Sequence, residues 1–282
     1  MISFTPSMNL RSEPAFLAED VVRGVLPDSR WAYEAGRIWV EVDNRPEAMR
    51  VFGALAGVEE AVPLVFLEGD AISRGNHVRN DIVVGDWYTR LTPFLVQAEA
   101  EQIAAAFRRP FINLARPGVF GSSGSHGERR REREVKLIDA ALARLMDAFG
   151  WPRFDIAGQS GGGHLVAALI ARRSDIRYAV IASGNVAVRQ RNEARGMNTD
   201  ATGYADFVDP IDLVSEVAQH PPSKIIVLTD PADSVVAAEH QFSYVERLLE
   251  TGVAVEQRTV PAFDPNHHIL RYPAMFAAAA AF

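Results

Sequence analysis

Residues 153–169, RFDIAGQSGGGHLVAAL, decide how the rest of the chain is read. The stretch opens on a short apolar run (154–157, FDIA), passes through Gly158-Gln159-Ser160-Gly161-Gly162, and continues into a helical pattern. A serine at a sharp strand-to-helix turn sits in strained backbone space and needs neighbours without a Cβ two residues to either side. Such a turn lifts the hydroxyl above the sheet edge and aims the following N–H groups, with the helix dipole, at one spot. A glycine-rich phosphate loop is the competing reading, but the G-x-G-x-x-G fingerprint is missing. Ser160 is therefore the candidate nucleophile.

The same alternation recurs on both sides of this stretch. Short apolar runs rich in Val and Ile stand at 62–67 (VPLVFL), 111–115 (FINLA), 178–182 (YAVIA) and 225–229 (IIVLT), as expected of strands buried on both faces. Helical patterns separate them. Thr92-Pro93 reads as cap and first turn of one helix, and Ser125 with Glu128 as a capping box for the next. Upstream, 31–42 and 51–56 read as two antiparallel strands. Strands alternating with helices imply a mostly parallel sheet with helices on both faces, and an α/β fold class. One domain, 1–282, is expected, with an N-terminal extension over 1–30. The polar stretch 184–222 breaks the alternation, carries one short helical pattern (211–218), and is expected to form a small lid insert.

A nucleophilic serine needs a base, and the base an orienting acid. Asp233 follows the strand at 225–229 by a few residues, in the kind of loop where sites on open α/β sheets gather. Asp230 follows that strand too closely and reads as a turn residue. After another helix (237–250) and strand (253–260) comes Asp264-Pro265-Asn266-His267-His268. This turn chemistry is expected to present His267 at its apex, with His268 as the alternative base. Adjacent residues do not converge on one ion, so the pair is not read as a metal site. His77 and His126 lie in loops that could border a pocket.

With these motifs in view, the chain resembles the α/β-hydrolases, in particular the catalytic domain of the prolyl-oligopeptidase and dienelactone-hydrolase branch. The resemblance covers roughly 31–282. It rests on GQSGG at 158–162, DPADSVV at 230–236, NHHIL at 266–270 and the glycine-rich loop LARPGVFGSSGSHG at 114–127. It implies a capless or small-capped α/β-hydrolase fold, a Ser-Asp-His triad, and an oxyanion hole made by the N–H groups of Gly161 and Asp70. Leu67-Glu68-Gly69-Asp70 stands where the family usually has His-Gly, so Glu68 replaces the histidine. An acidic group beside an oxyanion must point away or be paired, with Arg74 or Arg79 as the expected partner.

The expected activity is that of a cofactor-free, metal-free serine hydrolase acting on a carboxylic ester, an amide or a short peptide. Two alternatives are a non-catalytic ligand-binding relative and an acyltransferase using the same triad. Composition agrees with small-molecule partners. With 29 basic and 36 acidic residues the net charge is −7, which lacks the basic footprint of a nucleic-acid binder. The absence of cysteine excludes disulfides and thiol catalysis. The first twenty residues lack a signal-peptide pattern and no apolar run approaches ~20 residues, so a cytoplasmic protein without a membrane segment is expected. The charged run 128–134 reads as a solvated helix start, and Trp87 and Tyr88 as pocket or packing aromatics.

Overall fold

A computed structural model of the chain describes residues 2–55 and 62–280. The chain divides into two compact units, Met1–Val65 with Ala71–Pro152, and Phe66–Asp70 with Arg153–Phe282.

The first unit holds β1 (Arg37–Val42), β2 (Arg45–Ala54), the first half of β3 (Leu64–Leu67), the short pair β4 (Ser73–Arg74) and β5 (Val83–Val84), and β6 (Phe111–Leu114). β1 pairs antiparallel with β2, and β2 antiparallel with β6. The second upstream strand begins six residues earlier than the apolar pattern suggested, at Arg45, and Ala56 lies outside the described residues. Helices here are α1 (Ala18–Arg23), α2 (Pro93–Phe107) and α3 (Glu132–Phe149). Thr92 caps α2 as read, its hydroxyl accepting from Leu95 N.

Two readings need correction in this unit. Ser125 caps only a single 3-10 turn (His126–Glu128), and α3 starts later, at Glu132, because Arg130 takes a left-handed φ of 66° that no helix continues through. The run 128–134 is not a solvated face: Arg129, Arg130, Arg133 and Glu134 are all buried. Arg116 Nε donates to Glu134 Oε1 (2.8 Å), and Arg133 Nη2 to Glu47 Oε1 (3.0 Å). Tyr88 is a packing residue, stacked on Phe16, edge-on to Phe120, and accepting from Phe120 N.

The second unit carries the rest of β3, then β7 (Phe154–Gln159), β8 (Ile176–Ala182), β9 (Lys224–Thr229) and β10 (Val255–Thr259). β7 to β10 pair in sequence order and all in parallel, and in the strand order β3 stands beside β7. Every residue of β7 is buried, so both its faces are covered. The covering comes from α4 (Gly161–Leu169) and α8 (Arg271–Ala279), both packed on β7 and β8. Helix α7 (Ala238–Glu250) packs on β9 and β10. The polar stretch 184–222 contains α5 (Val188–Ala194), which the sequence pattern did not reveal, and α6 (Val214–Val217). Asp209 fixes the start of α5, its carboxylate accepting from Val188 N and Arg189 N. No helix among the described residues is long and apolar enough to cross a membrane.

Candidate active site

The turn between β7 and α4 is built by two glycines that cannot be anything larger. A Cβ on Gly158 would lie 2.3 Å from the Gly162 carbonyl oxygen, and one on Gly162 would lie 2.0 Å from that of Leu67. Between them Ser160 takes φ 56° and ψ −115°, a conformation L-residues avoid. Its N–H donates to Ala182 O (2.8 Å) and its carbonyl accepts from His164 N (3.0 Å), so both neighbours in the fold hold the strained residue in place. The residue is 7% exposed.

The acid comes from the loop after β9. Asp233 N donates back to Asp230 O, closing a turn. Asp233 Oδ1 accepts from Val235 N (2.8 Å) and Val236 N (2.9 Å), which leaves Oδ2 for a third partner. That partner is His268, whose Nδ1 lies 2.8 Å away. In the tautomer with the hydrogen on Nδ1, the carboxylate accepts from the ring and Nε2 is the acceptor facing the serine. Nε2 lies 2.9 Å from Ser160 Oγ. Ser160, His268 and Asp233 are thus joined in one buried hydrogen-bonded line within the second unit.

The expected contact between His267 and Ser160 is not made; His268 makes it. The turn closes as its residues suggest, with His267 N donating to Asp264 O (3.0 Å). However, His267 itself takes a left-handed φ of 54°, which swings its half-exposed ring away from Ser160. Its Nδ1 sits 3.1 Å from Asp230 Oδ2 instead. Asp230 is a turn residue as read: its carboxylate also accepts from Ala262 N and Ala232 N, and these bonds, with that to His267, hold its pKa below the ordinary value.

Asp264, read as a turn residue, holds the site together with two residues whose roles the sequence did not suggest, Gln159 and Arg271. Asp264 organises the histidine loop: Oδ1 accepts from His268 N (2.8 Å) and Ile269 N (2.7 Å), and Oδ2 from Asn266 N (3.1 Å). Burial pushes its carboxyl up, but these backbone donors outweigh burial and leave its pKa lowered. Gln159 Nε2 donates to His268 O (3.1 Å), tying the nucleophile's strand to the histidine loop. Arg271 is the partner of Glu68, at 2.7 Å and 2.8 Å from Oε1. Arg74 and Arg79, the expected partners, do not fill that role; Arg79 pairs with Asp81. A signal for Arg271 was present, since it follows His268 by three residues.

The loop carrying Glu68 lies hard against the nucleophile. A Cβ on Gly69 would come within 2.6 Å of Gln159 Oε1 and 3.1 Å of Ser160 Cβ. His77 and His126 belong to the first unit, where the His77 ring packs against Gly127. No cluster of three or more His, Asp or Glu side chains among the described residues could hold a metal ion.

No family model and no curated protein matches the sequence. Solved structures do. An esterase of Pyrococcus furiosus superposes with a TM-score of 0.61 at 12% identity, covering 96% of this chain and 95% of its own. A thermostable esterase gives a TM-score of 0.52 at 16% identity over 82% of this chain, which spans 58% of that enzyme. The acylaminoacyl peptidase of Pyrococcus horikoshii gives 0.58 at 12% identity over 87% of this chain, which spans only 39% of the peptidase. This chain accordingly has the fold that these esterases and the peptidase share, the α/β-hydrolase fold.

Proposed function

We propose that the protein is a serine hydrolase that cleaves a carboxylic ester, or an amide, through an acyl-enzyme on Ser160. The observation that carries this reading is the line from Ser160 Oγ to His268 Nε2 (2.9 Å) and from His268 Nδ1 to Asp233 Oδ2 (2.8 Å). Structural likeness to esterases and to a peptidase supports the reaction class.

In this mechanism Ser160 Oγ attacks the carbonyl carbon while His268 Nε2 takes its proton. The imidazolium that forms is stabilised by Asp233, which also fixes the tautomer. The Gly161 N–H, at the first position of α4, and the Asp70 N–H are the proposed donors to the oxyanion. The close approach of Gly69 to Ser160 supports the second of these. His268 then protonates the leaving group, and a water deprotonated by the same nitrogen releases the acid and restores the serine.

Glu68 fits this scheme because Arg271 neutralises it, so the acidic side chain does not oppose the developing oxyanion. The test is hydrolysis of short-chain p-nitrophenyl esters by wild type and Ser160→Ala. The wild type is expected to turn over and the variant to lose several orders of magnitude in kcat. Equal rates would refute the proposal.

A further inference from the structure

Strand β10 stands at one end of the strand order, and among the described residues its outer edge pairs with no other strand. On its inner side it is in parallel register with β9, from Val255 opposite Ile225 to Thr259 opposite Thr229. None of its five residues is buried. An edge strand presents a row of N–H and C=O groups to any extended chain that can match it.

The residues of this edge, Val255-Glu256-Gln257-Arg258-Thr259, are their own complement when the strand is turned round. Side chains alternate between the two faces of a sheet, so Glu256 and Arg258 share one face and flank Gln257. In an antiparallel pair of two copies centred on Gln257, position 256 faces 258 and position 255 faces 259. Each Glu256 then meets the partner's Arg258, and each Val255 the partner's Thr259. Opposite charges directly across a ladder stabilise it, and like charges destabilise it. Charge of a single sign would set two such edges against each other, whereas here the two signs stand symmetrically about the centre. Both side chains are accessible, at 43% for Glu256 and 39% for Arg258, and within one copy they already pair at 2.6 Å. Lys224, on β9, reaches the same carboxylate from the inner side (3.3 Å).

The flanks match in the same way. Leu249, in the last turn of α7, is 54% exposed ahead of the strand, and Phe263 is 95% exposed after it. Antiparallel pairing brings the leading end of one strand to the trailing end of the other. The two apolar side chains therefore come to the same end, twice over, and add apolar burial that a five-residue ladder lacks.

We propose that the outer edge of β10 is the docking surface for a second copy of this chain, which adds its own β10 in antiparallel fashion about a two-fold axis at Gln257. In such an interface the same patch serves both copies, and Glu256 and Arg258 set its register. The proposal rests on the sheet and its edge, not on the hydrolase reading.

The experiment is sedimentation velocity with native mass spectrometry on the full chain, over a dilution series. Wild type is expected to form a dimer that dissociates on dilution. Glu256→Arg and Arg258→Glu, each alone, put like charges at both facing pairs, so either should weaken the dimer at least about tenfold. The double variant reverses both signs and should dimerise like wild type. Mixing the two single variants should also restore a dimer, now containing one copy of each, because one carries two cations at these positions and the other two anions. The Tm of the single variants should stay close to that of wild type at a dilution where all are monomeric, since exposed ion pairs contribute little. A wild type that stays monomeric throughout, or single variants that dimerise unchanged, would overturn the proposal. So would a folded double variant, or a mixture of folded single variants, that remains monomeric. Should one single variant fail to fold, the other single variant and the double variant decide the matter.

Discussion

Two histidine–carboxylate pairs lie side by side in this protein, and only one of them reaches the serine. His268 is buried between Ser160 and Asp233, while His267 is half-exposed against Asp230. His268→Ala should therefore lower kcat by roughly 10⁴-fold or more, with His267→Ala staying within about tenfold of wild type. The same logic ranks the acids. Asp233→Asn should cost roughly 10⁴ in kcat through the wrong tautomer, and Asp230→Asn far less. A reversed order in either pair of kcat values would show that the working pair is the exposed one. At this scale Ser160 and Asp233 were legible, because each sits at a fixed distance from the end of an apolar strand. The choice between His267 and His268 was not. The turn chemistry of Asp264-Pro265-Asn266 was correctly read, but nothing in composition tells that His267, a residue with a Cβ, adopts φ 54° and so hands the inward position to its neighbour.

Two elements carry the geometry: the turn entering α4 and the loop entering α8. The first is sterically closed. Gly162→Ala would put a Cβ 2.0 Å from the Leu67 carbonyl oxygen, which is backbone and cannot swing aside. The expected cost is at the upper end of the ~1–3 kcal/mol that overpacking brings, read as a drop in the urea midpoint. The second loop is held by charge. Folding lowers the Asp264 pKa below its ordinary 3.8, because the carboxylate gathers the N–H groups of Ile269, His268 and Asn266. That contribution is complete above the unfolded-state pKa and is lost as pH falls through the lower folded-state one. Thermal melts from about pH 5 down to about pH 2 should show Asp264→Asn less stable than wild type at the top of the range, with the gap narrowing towards the bottom. A gap that stays constant across the range would contradict this role. Helix α5 and the buried arginines of 129–133 were illegible for one shared reason. Their polar side chains look solvent-facing in sequence, and only partners far along the chain, such as Glu47 for Arg133 and Val235 for Arg191, show that they are buried.

At the scale of the whole molecule, an α/β-hydrolase fold appears in a sequence that no family model matches and that is 12% identical to the Pyrococcus furiosus esterase. The fold was legible because its signals are physical: strand-length apolar runs at 154–157, 178–182 and 225–229, helical patterns between them, and one strained serine with the glycines it needs. The division into two units was not legible, since residues 66–70 group with the second unit while the chain on both sides of them groups with the first. All three residues of the proposed triad, together with Glu68 and Arg271, belong to the second unit. The proposed mechanism makes Ser160 a nucleophile activated by His268. It is tested most directly by treating the protein with a fluorophosphonate and mapping the adduct by peptide mass spectrometry. The prediction is a single adduct on Ser160, absent from Ser160→Ala and formed at least about 10³-fold more slowly in His268→Ala. An adduct on another residue, none at all, or an unchanged rate in His268→Ala would contradict it.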